Sequence, residues 1–188
     1  MASTTKIMTG LLACESGKLN NTVKASAFAS GTEGSSLWLK IGEKQTLENL
    51  TYGLMLKSGN DAAVAIAEYL GGSIDAFALL MNKRAREIGA KNTNFVNPHG
   101  LHNDNHYTTA YDLALISCYA MKNDVFRKIV GTKSIKKDLI DIDLKGTMVA
   151  SKHIAKVMIE QEKVALNIQK IVEANGLGML IQWHSCLT

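Results

Sequence analysis

Cysteine is scarce in this 188-residue chain, and the three present are Cys14, Cys118 and Cys186. They are odd in number and far apart, which excludes a dense disulfide framework and shows no metal-ligand spacing. Aromatic side chains make up only 6% of the residues, and the basic ones are scattered, densest at Lys83-Arg84-Ala85-Arg86 and Lys136-Lys137. A net charge of +4 spread in this way reads as solvated helix surface, and no nucleic-acid footprint is expected. No stretch is long and apolar enough to span a membrane, and no signal peptide precedes Ser3. Proline occurs once, at Pro98, and neither an internal repeat nor a low-complexity segment is present.

What the chain does have is a 46% hydrophobic composition, enough for one ordinary domain with a real core. Residues 6–15 are apolar with small side chains and read as a buried helix closed by Ser16-Gly17. Between 22 and 46 the period changes: Val23, Ala25, Leu37, Leu39 and Ile41 alternate with polar neighbours, predicting two or three short strands. Leu47, Leu50 and Leu54 then predict a helix ending at Lys57, and an Ala-rich helix runs from Asp61 to Leu70, stopped by Gly71-Gly72. Ser73 can cap a helix striped by Phe77, Leu80, Met81 and Ile88. Residues 90–107 read as a polar loop, Thr109 with Asp112 as a capping box for a helix to about Met121, and 124–130 as a short turn. Residues 133–145 show no clear period, whereas Ile154, Val157, Met158, Val164, Ile168 and Ile171 form an amphipathic stripe, predicting a helix around 151–174.

Ser3 and Lys6 stand three positions apart at a helix start, a spacing that places both side chains on one face. A hydroxyl beside an amine can be activated without histidine, provided the amine is neutral; its pKa must then fall from about 10.4 by desolvation or nearby cations. The spacing alone is equally that of a helix cap followed by a solvated lysine.

Four segments occur in order: Ala2-Ser3-Thr4-Thr5-Lys6-Ile7-Met8-Thr9, Gly53 to Ala63 containing Ser58-Gly59-Asn60-Asp61, Asn97-Pro98-His99-Gly100-Leu101, and His106 to Ala114. Together they resemble the serine-type D-alanyl-D-alanine carboxypeptidases, the low-molecular-mass penicillin-binding proteins, over residues 1–133. The resemblance implies a mainly α chain with a small β element, the helical part of the β-lactamase/transpeptidase-like α/β fold with its central sheet largely missing. It implies a partial catalytic domain over 1–133 and a divergent tail over 134–188. In that family the chemistry uses S-x-x-K, S-x-N and K-T-G. By resemblance, Ser3 is the nucleophile, Lys6 takes its proton, Ser58 relays a proton to the leaving amine, and Asn60 binds the substrate amide and orients Lys6. Taken alone, Ser58 is equally a turn residue and Asn60 a helix N-cap.

K-T-G does not occur; Gly131-Thr132-Lys133 and Lys145-Gly146-Thr147 have the wrong order. In relatives that strand recognises the substrate carboxylate and lends an N–H to the oxyanion hole, and further strands precede S-x-x-K. The expectation is therefore an incomplete gene product, from an internal start with a frameshift near Lys133. The ligands implied are peptidoglycan pentapeptide and β-lactams, with no cofactor and an extracytoplasmic location. A β-lactamase relationship is disfavoured because E-x-x-L-N is absent, and a non-catalytic helical fragment is the rival of another class. His99, His102, His106 and Asp104 have a spacing compatible with a metal, but their polar, glycine-containing setting reads as a loop and no metal is expected.

Overall fold

The computed structural model describes residues 1–132, 135–137 and 140–142. The helix predicted around 151–174 and Cys186 lie outside them. A 3-10 turn, Ala2–Thr5, leads into α1 (Lys6–Glu15). There follow β1 (Thr22–Lys24), α2 (Ala27–Ser30), β2 (Lys44–Thr46), α3 (Leu47–Lys57), α4 (Asn60–Gly71), α5 (Ile74–Ile88), α6 (Ala110–Lys122), α7 (Asp124–Val130), β3 (Ile135–Lys137) and β4 (Ile140–Ile142). The architecture is mainly helical with two antiparallel two-stranded ribbons, β1–β2 and β3–β4. Hydropathy over 133–145 gives no period, yet β3 and β4 pair in register Ile135–Ile142 and Lys137–Ile140.

Helix α1 is the centre. It has almost no polar face, and a helix apolar on all sides must be enclosed by others; α3, α4, α5, α6 and α7 all pack on it. Met8 and Leu11 are fully buried, and Leu47, Leu50, Leu54, Ile66, Phe77, Met81, Ile116 and Ile129 close the core around them. Gly10 lets α3 and α7 approach: a Cβ there would stand 2.8 Å from Met55 Sδ and 3.2 Å from the Phe126 ring. No single helix among the described residues is long and apolar enough to cross a membrane; α4 and α5 pass only jointly and are bent by 84°.

Capping chemistry sets most helix ends. Thr46, Ser73 and Thr109 accept from the amides of Asn49, Ala76 and Asp112. The 124–130 segment is a helix rather than a turn, because Asn123 caps it through the Phe126 amide and Phe126 and Ile129 bury against the core. Thr109 and Asp112 form half a capping box: the buried Asp112 carboxylate instead accepts from Asn92 N–H (2.6 Å) and Thr93 Oγ1 (2.8 Å).

The strands expected from Leu37, Leu39 and Ile41 do not form. Their alternation is not carried into burial, since Leu39 is buried while Ile41, two positions on, is exposed, and the backbone donors are taken by a side chain. The fully buried Asp61 carboxylate accepts from Leu37 N–H (2.9 Å), Leu39 N–H (3.1 Å) and Ser36 Oγ (2.7 Å). A ladder is thus replaced by a strap that ties residues 35–39 to the N-terminus of α4, where an anionic side chain is also favoured by the helix dipole.

Candidate active site

Three segments converge at the N-terminus of α1. The first is the 3-10 turn itself. Its side chains do not cap: the N-cap position is Met1, with no side-chain bond, and Lys6 is only 3% exposed. A capping serine with a solvated lysine is therefore not what the chain builds. Ser3 is exposed at the surface while Lys6 reaches up beneath it, with Nζ 3.3 Å from Ser3 Oγ. Burial pushes the Lys6 amine down to about 8, because the charged form is the one that loses water.

The second segment is the junction of α3 and α4. Ser58 ends α3 in the left-handed conformation, φ +58°, with its amide returning to Gly53 O. Such a φ is uncommon for a residue with a side chain, and here it turns the Ser58 hydroxyl back over the site, where it donates to Ser3 Oγ at 3.0 Å. Asn60 is the first residue of α4 rather than its cap, the cap position being Gly59. It is not brought onto Lys6: its Nδ2 donates to Glu33 O at 2.6 Å and its N–H to Ser35 O at 2.7 Å.

The third segment is the 90–107 loop, closed at its base by a bridge between Asn94 and Tyr107. Its backbone accepts from α1. Lys6 Nζ donates to His99 O at 2.9 Å, and Thr9 Oγ1 donates to Pro98 O at 2.7 Å. Gly100 is required where the loop meets the turn: at φ +91° a Cβ would stand 1.9 Å from Ala2 O. His106 is buried against Thr5, and His99 sits half-buried beside Lys6. Both imidazoles are held down at about 4, by burial first, with Lys6 and His106 adding for His99 and the N-terminal amine for His106.

The histidines do not gather. His106 faces Thr5 and Val96, His99 accepts from Leu101 N–H (3.1 Å), and His102 is exposed with Asp104 at 3.3 Å. Among the described residues no three His, Cys, Asp or Glu are grouped to hold a metal. Neither Cys14 nor Cys118 is in a disulfide, and burial raises the Cys14 thiol to about 12, far from reactive. Thr5, Thr9 and the carbonyl of His99 had no distinguishing sequence signal, since backbone acceptors carry none. Asp61 could have been noted as an acidic residue in a helix's first turn.

Ser3, Lys6 and Ser58 thus meet within one hydrogen-bonded group, on segments arranged in the order of the sequence motifs. The profile of the D-alanyl-D-alanine carboxypeptidases matches residues 1–163. The chain belongs to that family. D-alanyl-D-alanine carboxypeptidase DacF of Bacillus subtilis is 43% identical over 136 residues, covering 70% of this chain and 35% of its own length. Among solved structures, the carboxypeptidase DacD from Francisella tularensis is 41% identical with a TM-score of 0.64, covering 69% of this chain and 32% of that one. Penicillin binding protein 6B from Escherichia coli is 29% identical with a TM-score of 0.70, covering 77% and 50%. The chain spans between about a third and a half of the length of the curated carboxypeptidases it matches. Its mainly helical fold with a small two-stranded element is that of the matching part of these penicillin-binding proteins.

Proposed function

We propose that the chain carries the acyl-transfer centre of a serine-type D-Ala-D-Ala carboxypeptidase, with Ser3 as nucleophile. The observation that carries this reading is the dry Lys6 amine, 3.3 Å from an exposed serine hydroxyl and shifted to about 8. A lysine at that value is neutral in a useful fraction of molecules near neutral pH, as a general base must be. Lys6 takes the Ser3 proton as Oγ attacks the carbonyl between two D-alanines. Collapse of the tetrahedral intermediate expels D-alanine, whose amine takes a proton by way of Ser58, and water then hydrolyses the ester. Asn60 is the substrate-binding residue of this reading. With its Nδ2 committed to Glu33, the side-chain carbonyl is the group available to a substrate N–H.

The substrates of this reading are peptidoglycan stem pentapeptides, with β-lactams as acylating analogues, which places the chemistry in the cell envelope. The catalytic part is residues 1–133, with 134–188 a separate tail. Because K-T-G is not in the sequence, the donor it supplies to the oxyanion is missing, and loss of one such donor slows reaction about a hundredfold or more. The expectation is therefore slow acylation. Incubation with a fluorescent penicillin, followed by denaturing electrophoresis, tests it. Covalent label that disappears in Ser3→Ala supports the proposal. No label in protein shown to be folded by circular dichroism overturns it in favour of a non-catalytic fragment.

A further inference from the structure

One buried hydroxyl of the S-x-x-K turn has no part in that chemistry. Thr5 is 1% exposed, immediately before Lys6, and its Oγ1 lies 2.7 Å from Nε2 of His106. The other ring nitrogen decides the direction of this bond. Val96 N–H donates to His106 Nδ1 at 3.0 Å, so Nδ1 carries no hydrogen. The imidazole is then the neutral tautomer with hydrogen on Nε2, and it donates to Thr5. The ring is held edge-on to Phe95, with centroids 5.8 Å apart.

His106 therefore joins the two ends of the loop segment 96–106 and ties them to the catalytic turn. Between those ends lie Pro98 and His99, whose carbonyls receive Thr9 Oγ1 and Lys6 Nζ. We infer that His106 is a positioning residue for Lys6: through Thr5 Oγ1 and Val96 N–H it holds the loop down on the turn, keeping His99 O on Lys6 Nζ and water away from that amine. The inference rests on the reading of Lys6 as base. It extends that reading by giving the loop's histidine a task that needs one tautomer. The ionisable groups about the ring are the N-terminal amine and His99, itself beside Lys6. All are cationic when charged, so the neutral ring is the form that fits. A proton on Nδ1 would oppose the Val96 N–H and break the brace.

Loss of the brace lets the loop lift, and a rehydrated Lys6 regains an ordinary lysine pKa near 10.4. Three variants separate this from loss of packing. Thr5→Val keeps shape and deletes the hydroxyl. His106→Leu removes both ring nitrogens. His106→Gln retains an amide donor near the position of Nε2. Lysine labelled with carbon-13 at Cε reports the Lys6 titration by NMR, its resonance identified by loss in Lys6→Arg, with thermal unfolding measured alongside. The wild type is expected to titrate near 8. Thr5→Val and His106→Leu should move upward by a unit or more, and His106→Gln, which keeps a donor for Thr5 but no acceptor for Val96 N–H, should move less than His106→Leu. Penicillin acylation at pH 7 should slow by about tenfold or more in the first two variants, through the acylation step rather than through binding. If Lys6 still titrates near 8 in folded Thr5→Val, the positioning role is overturned while the base role stands. If wild-type Lys6 titrates near 10.4, the base role fails and this inference fails with it. If His106→Leu does not fold, Thr5→Val against the wild type decides.

Discussion

Asn82 and Phe95 exchange two hydrogen bonds: Asn82 Nδ2 donates to Phe95 O at 2.8 Å, and Phe95 N–H donates to Asn82 Oδ1 at 2.7 Å. A side-chain amide on α5 here imitates a strand partner for the loop that lies over the Ser3–Lys6 turn. Both groups are buried. Asn82→Leu strands a donor and an acceptor and is expected to cost about 2–4 kcal/mol in urea unfolding. Asn82→Asp removes the donor and places a charge against Phe95 O, and should be no milder. A loss under about 0.5 kcal/mol would show that the loop is held elsewhere.

Asp61 performs the comparable task on the other side. Besides the strap to residues 36–39, it accepts from Ala62 N–H at 2.8 Å. Asp61→Asn turns one acceptor oxygen into a donor facing N–H groups, with an expected loss of about 2–3 kcal/mol. Hydrogen exchange is the sharper reading: the Leu37 and Leu39 amides should lose protection by tenfold or more relative to amides in α5. Equal loss at all amides would mean global destabilisation only.

The buried Lys6 makes stability depend on alkaline pH. Its folded pKa, about 8, lies below the unfolded value of 10.5. Between those values the unfolded chain binds more protons than the folded one, so this group's contribution to stability rises with pH across that window and is constant on either side. Wild type should accordingly gain on Lys6→Met by up to about 3 kcal/mol from pH 8 to pH 10.5. A stability difference between the two that is flat across this range, by denaturant unfolding, would contradict a desolvated amine.

Gly100→Ala should be damaging well beyond the modest cost of a left-handed alanine. Its Cβ meets the backbone of Ala2, which cannot rotate aside, and Thr5 Oγ1 at 2.9 Å. The expected outcome is a loss of about 2 kcal/mol or more together with slowed penicillin acylation, since relief requires Ala2, next to Ser3, to move. Unchanged acylation in the folded variant would show that the turn tolerates the shift.

Much of this arrangement was legible in the residues. Helical period located α3, and period with cap chemistry located α5 and α6, since Ser73 and Thr109 bond where a capping side chain should. The spacing of Ser3 and Lys6 placed those two on one face, whereas Ser58 was tied to them only by the family resemblance; the structure joins all three. What stayed hidden was held by backbone acceptors or by side chains in unexpected service. Asp61 takes amides that alternation had assigned to strands. Asn60 turns to Glu33 rather than Lys6. His106, grouped by spacing with possible metal ligands, spends both nitrogens inside the protein. Period and motif record side-chain type, and none of these bonds follows from type alone.

The bond between Thr5 and His106 spans 101 residues, and this has a consequence for timing. On a ribosome the Ser3–Lys6 turn emerges before the loop that buries Lys6, which follows about a hundred residues later. The bridge from Asn94 to Tyr107 and the Asp112 anchor come after it. Contacts so distant in sequence form late in folding. Until they do, the serine lies beside a hydrated, protonated lysine and is an ordinary alcohol. On the proposed reading of Ser3 and Lys6, the nascent chain would carry its serine in an inert form, and reactivity would arrive only with closure of the fold.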